Sequence, residues 1–434
     1  MCSIRKSILS VVVVAIFGLA VSDMLLGQDW PQWRGADRKN HSAETGLFDK
    51  WGAGGPELAW TAEGLGTGYA TVSIADGKIF TSGNTESAQQ VTAWSRDGKQ
   101  LWAAEITNVP PKHPYTGSRT TPTYHDGMLY VVASDGVVSC LEAEGGKRVW
   151  RRKFKDWDGK MMSYWGYSES PLVDDGKLIC TPGGSKGVVV ALDLKTGDEI
   201  WACTLPDYGE EQGVNGKNLL DGAGYSSPVV SEAAGVRQYV QLVGRGLIGI
   251  RASDGKLLWR YKKVANGTAN IPTPVVDGEF VFTSTGYNTG SALLKLTGDD
   301  DSEKINVEEV YWLDGRTFQN KLGGMTLVDG HIYCGHGNGS GLPICLEMMT
   351  GKIKWGPVRG KGKGESSLLY ADGHLIWRRQ DGSVILSKVN SDTFEIVSSF
   401  KPEFQKDNSW AQPVIADGVL YLREQDKLMA FSLK

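Results

Sequence analysis

Seven residues of this 434-residue chain share one setting: each stands at, or just before, the opening of a short apolar strand–turn–strand phrase. They are Tyr69, Arg119, Glu169, Tyr225, Asn270, Glu365 and Trp410. A guanidinium, two carboxylates, an amide and three aromatic rings are the mixture of apolar wall and convergent polar groups from which small-molecule sites are made. Gathered around one opening, they would form either a site for a small polar ligand or a hydrated plug. A second constellation lies within one loop. Trp157, Tyr164 and Trp165 crowd together with Met161 and Met162, beside Asp156 and Asp158. Aromatic and methionine side chains are enriched in partner interfaces and adaptable pockets. Packing on one another to roof a channel mouth is the other use of such a cluster.

Other chemistry is sparse. The chain has no Gly-x-Ser-x-Gly elbow, no His-Glu-x-x-His and no phosphate loop. His331 and His336 lie five apart without a third ligand in reach, which reads as structural. Asp299-Asp300-Asp301 reads as a solvated loop. No catalytic residue and no metal ligand is assigned on these grounds. Cys140, Cys180, Cys203, Cys334 and Cys345 show no Cys-x-x-Cys spacing, and an odd number builds no disulfide framework. They read as small buried hydrophobes, with a Cys334–Cys345 bridge across neighbouring strands as the alternative. Net charge is −4 with scattered basic residues, which argues against a nucleic-acid partner.

The elements that must position these residues repeat. Thr196-Gly197-Asp198-Glu199-Ile200-Trp201 returns as Asp97-Gly98 before Trp102, Gly145-Gly146 before Trp150, Asp254-Gly255 before Trp259 and Thr350-Gly351 before Trp355. Degraded copies end at Trp312 and at Val397, and Trp60 has the strand without the turn. Successive copies are about 42 to 58 residues apart, a period of solenoids, propellers or arrays. Between them recur Asp-Gly pairs flanked by alternating apolar runs, at Asp76, Asp126, Asp175, Asp277, Asp329, Asp372 and Asp417. Such pairs mark tight hairpins, because a type I′ turn needs positive φ at both central residues. Two hairpins per repeat make four strands, a to d, and four-stranded units repeated radially are propeller blades. The expected fold is all-β: an eight-bladed β-propeller of antiparallel blades over residues 57–434. The chain ends on a c strand and opens on a lone d strand, "ELAW", so the N-terminal strand should complete the last blade. The tryptophans read as packing between blades.

Within each blade the a–b and c–d turns are tight, whereas the d–a crossovers are long, as between Trp150 and Tyr167 or Trp201 and Tyr225. Function concentrates in long loops on a rigid scaffold, so the candidates belong to that face. The N-terminus is different. Arg5-Lys6 precede an apolar run from Ile8 to Val21, which reads as a signal peptide over 1–27, cleaved near 22–27, with an uncleaved anchor as the alternative. Export to a periplasm, cell surface or medium follows, with a monomeric chain and no span after cleavage. Residues 28–56, with Trp30, Pro31 and Trp33, read as an aromatic clasp against the ring.

The phrases "LDLKTGDEIW", "RASDGKLLW" and "EMMTGKIKW", with Ser-Pro or Thr-Pro ahead of the Asp-Gly hairpins, resemble the pyrroloquinoline-quinone (PQQ) repeat propellers. "QDWPQWRG" resembles the opening of secreted members common in planctomycete-type bacteria. The resemblance implies one of two functions: a scaffold such as BamB, or a PQQ-dependent alcohol or aldose dehydrogenase. For the enzyme it implies a Ca²⁺ held by oxygen side chains, for which Glu169, Asn270 and Glu365 are placed. It also implies a vicinal disulfide, and here no two cysteines are adjacent. The primary expectation is therefore a binding or scaffold module without a cofactor, its partner an envelope or extracellular protein or polymer. A quinoprotein oxidoreductase with PQQ and Ca²⁺ and a carbohydrate-binding propeller are the alternatives.

Overall fold

The structure, a computed structural model, describes residues 29–108, 112–298 and 304–434. The signal segment, Cys2 and the Asp299-Asp300-Asp301 run lie outside them. Eight sheets of antiparallel strands follow one another along the chain. Seven are continuous: 73–107, 123–153, 172–203, 229–261, 275–313, 326–355 and 366–400, here blades 1 to 7. Blade 8 has Val414–Ala416, Val419–Glu424 and Lys427–Ser432, and its outer strand is Leu58–Glu63 from the other end of the chain. Trp60 lies opposite Ala430, as a d strand should. Two short 3-10 turns, Phe154–Trp157 and Ala233–Gly235, are the only helical elements among the described residues.

The turn chemistry is local and literal. In six of the seven Asp-Gly pairs both residues have positive φ, as Asp76 at 48° and Gly77 at 70°; at Asp277-Gly278 only the glycine does. The second repeat phrase has a tertiary reason. A Cβ on Gly255 would lie 2.5 Å from the Trp201 ring, and one on Gly98 would lie 2.7 Å from Trp60. The glycine four residues before each tryptophan is thus the seat for an aromatic ring of the previous blade, an indole at Gly98, Gly146, Gly197 and Gly255. The same indole donates to a carbonyl at that turn: Trp150 Nε1 to Leu194 O at 2.9 Å, Trp201 to Ala252 O at 3.2 Å, Trp60 to Arg96 O at 3.0 Å. One motif therefore encodes both halves of a joint, ring and seat, on successive blades.

Two positions differ from the sequence reading. Each outer strand bulges just before the ring, so that Ala191 faces Trp201 and Leu192 faces Glu199, skipping Ile200. The same bulge in blade 5 puts Tyr311, not Trp312, in the seat; its hydroxyl donates to Met348 O at 2.6 Å. In blade 7 the slot falls on Ser398, not Val397. The reason is topological. Blade 8 takes its outer strand from elsewhere, so it has no c–d turn to receive a ring. Trp51 fills the joint instead, buried edge-on against Phe400 at 5.4 Å and bonded through its backbone to Ser398 Oγ at 2.9 Å.

Residues 30–44 do more than clasp the ring. They cross its axis and hydrogen-bond to every blade. Trp30 pairs with Ile74, Pro31 O accepts from Tyr124 N, Trp33 Nε1 donates to Thr273 Oγ1, and Glu44 accepts from Gly418 N. Arg34 donates to the carbonyls of Gly323 and Met325, and Arg38 to those of Ser170, Pro171 and Pro228. Asn40 Nδ2 donates to Leu368 O, and His41–Ser42 adds a parallel strand to blade 7. Asp29 lies beside Arg96 on the tight-turn face, and Lys434 pairs there with Glu44 at 3.3 Å.

The five described cysteines are buried and free. Cys334 faces Ile344 and Cys345 faces Tyr333, one register step apart, so their side chains point to opposite faces of the sheet and belong to different core clusters.

Candidate functional site

On the long-crossover face the axis opens into a funnel of about 240 Å³. The buried plug closes it below, so it is blind. Trp33 lines it from the plug side, and most of the walls come from residues ahead of the a strands. Tyr69, Arg119, Tyr225 and Trp410 of the a-strand openings line it, with Trp165 from the aromatic loop. Tyr115, Tyr287 and Lys321 line it too and were not singled out, and Trp33, read as part of the clasp, lines it as well. Tyr115 and Tyr287 carry no repeat signal, because they lie in loops outside the a-strand phase.

The rings form two groups. Tyr69 and Tyr115 pack on Trp410 with centroids 4.9 Å and 5.0 Å away. Trp165 packs on Tyr225 at 5.8 Å and carries the exposed Tyr164 on its back at 4.3 Å. Arg119 joins the groups. It donates to Trp165 O at 2.6 Å and to Tyr115 O at 2.7 Å, and it stands 5.7 Å from the Tyr69 ring centre. Burial lowers its pKa to about 10, which leaves it charged at neutral pH.

Trp410 is held from behind. Its indole donates to Gln380 Oε1 at 3.2 Å. Glu424, paired with the buried Arg378 at 2.8 Å, accepts from Ser409 Oγ at 2.5 Å and from the backbone N–H groups of Lys406 and Asp407. The loop that delivers Trp410 is therefore anchored to two blades.

The remaining candidates are near but do not line the funnel. Glu169 is buried, accepting from Thr181 N at 2.5 Å and Gln241 Nε2 at 3.3 Å. Asn270 accepts from Asn266 N at 3.0 Å and donates to Val243 O at 2.9 Å. Glu365 is buried with Lys321 Nζ 3.6 Å away. Trp157 lies elsewhere. The expectation of a loop tryptophan open to a partner is corrected: the 3-10 turn Phe154–Trp157 folds it into the core between blades 2 and 3, and its indole bonds Glu199 at 2.5 Å. Met162 is likewise buried, under Tyr225.

Burial raises the Glu169 carboxyl to about 7, against 4.5 for the free group. A folded pKa above the unfolded one means that the stabilising contribution is complete below the unfolded value and is lost as pH rises through the folded value. The difference corresponds to about 3 kcal/mol between roughly pH 4.5 and pH 8. Glu169→Gln should remove that loss, so that its urea midpoint falls less than wild type's across this range. Parallel pH profiles for the two proteins would contradict the assignment.

The match that settles the lineage covers residues 87–357, which fit the family described as outer membrane protein assembly factor BamB. The chain belongs to the BamB-like PQQ-repeat family. Its curated relatives in that superfamily differ in activity. Polyvinylalcohol dehydrogenase of a Pseudomonas species is 24% identical over 61% of this chain and 46% of its own length. The outer membrane protein assembly factor BamB of Xanthomonas campestris is 31% identical over 25% of this chain and 26% of its own. This chain thus spans less than half the length of these relatives. Among solved structures, BamB from Moraxella catarrhalis superposes with a TM-score of 0.58 at 12% identity, covering 87% of this chain and 98% of that one. Quinohemoprotein alcohol dehydrogenase from Comamonas testosteroni gives 0.60 at 14%, covering 94% and 80%. At these identities the likeness is one of fold.

The quinone-and-calcium centre implied by the dehydrogenase relatives can be tested against the donor set. Ca²⁺ takes six to eight oxygen ligands. Glu169 and Asn270 have their oxygens committed to protein N–H groups, and Glu365 faces an ammonium. Among the described residues no three His, Cys, Asp or Glu side chains are grouped to hold a metal ion. The residues present do not fit that cage.

Proposed function

We propose that this propeller is an exported binding module, which holds a ligand or partner at its long-crossover face and carries out no redox chemistry of its own. The observation that supports it most is the blind aromatic funnel beside carboxylates that are committed elsewhere. A monomeric module acting on an envelope or extracellular protein or polymer fits the apolar, signal-like N-terminus. No helix among the described residues is long and apolar enough to cross a membrane.

The rival reading, a PQQ-dependent oxidoreductase, has the dehydrogenase relatives in its favour. Titration calorimetry with PQQ and Ca²⁺, followed by dye reduction with alcohols and aldoses, separates the two. The expected dissociation constant is no tighter than roughly 1 μM, about −8 kcal/mol, with no dye reduction. Nanomolar one-site binding with turnover would replace the binding module with the enzyme.

A further inference from the structure

We propose that the funnel selects a small organic anion with a flat apolar body, an aryl carboxylate, and takes it without a metal. This deepens the binding reading and rests on it.

The first argument is the balance of donors and acceptors. Among the described residues no Asp, Glu, Asn, Gln or His side chain lines the funnel. Its polar side chains are Arg119, Lys321, three indoles and eight hydroxyls. The Ser170 hydroxyl oxygen accepts from Thr121 N at 3.0 Å and that of Ser227 from Ser170 N at 2.9 Å, which leaves their protons to be donated. Thr273 accepts from the Trp33 indole at 3.5 Å. The hydroxyls can both give and accept, but the two charged side chains of the lining, Arg119 and Lys321, only donate, so the balance is tipped toward a ligand that accepts. A neutral sugar brings several hydroxyl donors, and each one buried without an acceptor weakens binding. A carboxylate brings acceptors alone.

Charge is the second argument. Lys321 has a carboxylate partner in Glu365. Arg119 has none among the described residues: its hydrogen-bond partners are carbonyls and a histidine ring, and the groups that act on its charge are the phenols of Tyr69 and Tyr225. Asp407, the nearby rim carboxylate, is exposed and accepts from the Tyr69 hydroxyl at 3.1 Å. One positive charge in a low-dielectric setting lacks a counter-ion, and attraction across such a setting is stronger than in water.

Shape is the third. The two ring groups and Trp33 present aromatic faces around a blind space smaller than the roughly 300–1,000 Å³ of drug-sized sites, so one compact ring system fits and a polymer does not.

The test uses the full chain in EDTA with three probes: 2-naphthoate, its neutral counterpart 2-naphthylmethanol, and maltose. Calorimetry should show naphthoate binding at one site at least about tenfold more tightly than the alcohol, and no maltose binding. Lys321→Met and Arg119→Gln should each cost naphthoate about tenfold and leave the alcohol unchanged, the pattern expected of lost charge and not of a collapsed pocket. The Lys321 variant keeps the test usable if removing Arg119 loosens the rim. Equal binding of naphthoate and alcohol, or no naphthoate binding, overturns the anion proposal. Maltose binding in place of naphthoate overturns it too, yet keeps the funnel as a binding site. Naphthoate binding that appears only with added Ca²⁺ refutes the metal-free part.

Discussion

Deleting Leu58–Glu63 is expected to unfold the whole ring rather than fray one end. The strand supplies the outer edge of blade 8, paired from Leu58 with Phe431 to Glu63 with Lys427. It also carries Trp60, whose ring sits on Gly98 of blade 1. Its loss opens blade 8 to water and breaks the joint between first and last blades together. It also uncouples the 51–55 segment, which packs on Phe400 to close the neighbouring joint. A closed ring has no exposed edge, whereas an opened one has two. The expected loss exceeds about 5 kcal/mol, beyond the range of ordinary substitutions. Thermal unfolding followed by tryptophan fluorescence checks this; a transition within a few degrees of wild type would show that the strand does not close the ring.

Arg38→Ala should be the most damaging single substitution in the plug. The guanidinium is 5% exposed and donates to three carbonyls on blades 3 and 4 and to Gln32 on the plug itself. Burial lowers its pKa to about 9, which still leaves it charged at neutral pH. Removing it strands buried acceptors, each at about 1–3 kcal/mol, so a total of about 3–6 kcal/mol is expected in urea unfolding. Arg38→Lys should recover little, because one ammonium cannot reproduce the planar fork. A cost below about 1 kcal/mol for the alanine variant would mean that water replaces the side chain without penalty.

The propeller was legible because its signals are local. An Asp-Gly turn, a glycine seat and an indole four residues later each state their own geometry, and their return, seven times for the turn and five for the glycine–tryptophan pair, removes ambiguity. The closing strand was legible from phase alone. The bulge that moves Tyr311 into the seat was not, since a one-residue slip leaves no mark in composition. Trp157 was misplaced because a loop tryptophan and a core tryptophan look alike until the 3-10 turn that buries one is known. The plug was the least legible element. Nothing near Arg34 and Arg38 in sequence announces that they bond carbonyls more than a hundred residues away. Of the ten candidate site residues, five line the funnel. Those five share the phase of the a strands or the crossover before them, whereas Glu169, Asn270 and Glu365 share that phase but turn into the blade interfaces.

The position of the two described ends has a practical meaning. Asp29 and Lys434 both emerge among the tight turns, by Arg96 and Glu44 respectively. An immobilising tag joined at Lys434 would leave from the tight-turn face, on the side of the disc away from the funnel. The funnel then faces away from such a support, so immobilisation through that end leaves its mouth open to added ligand.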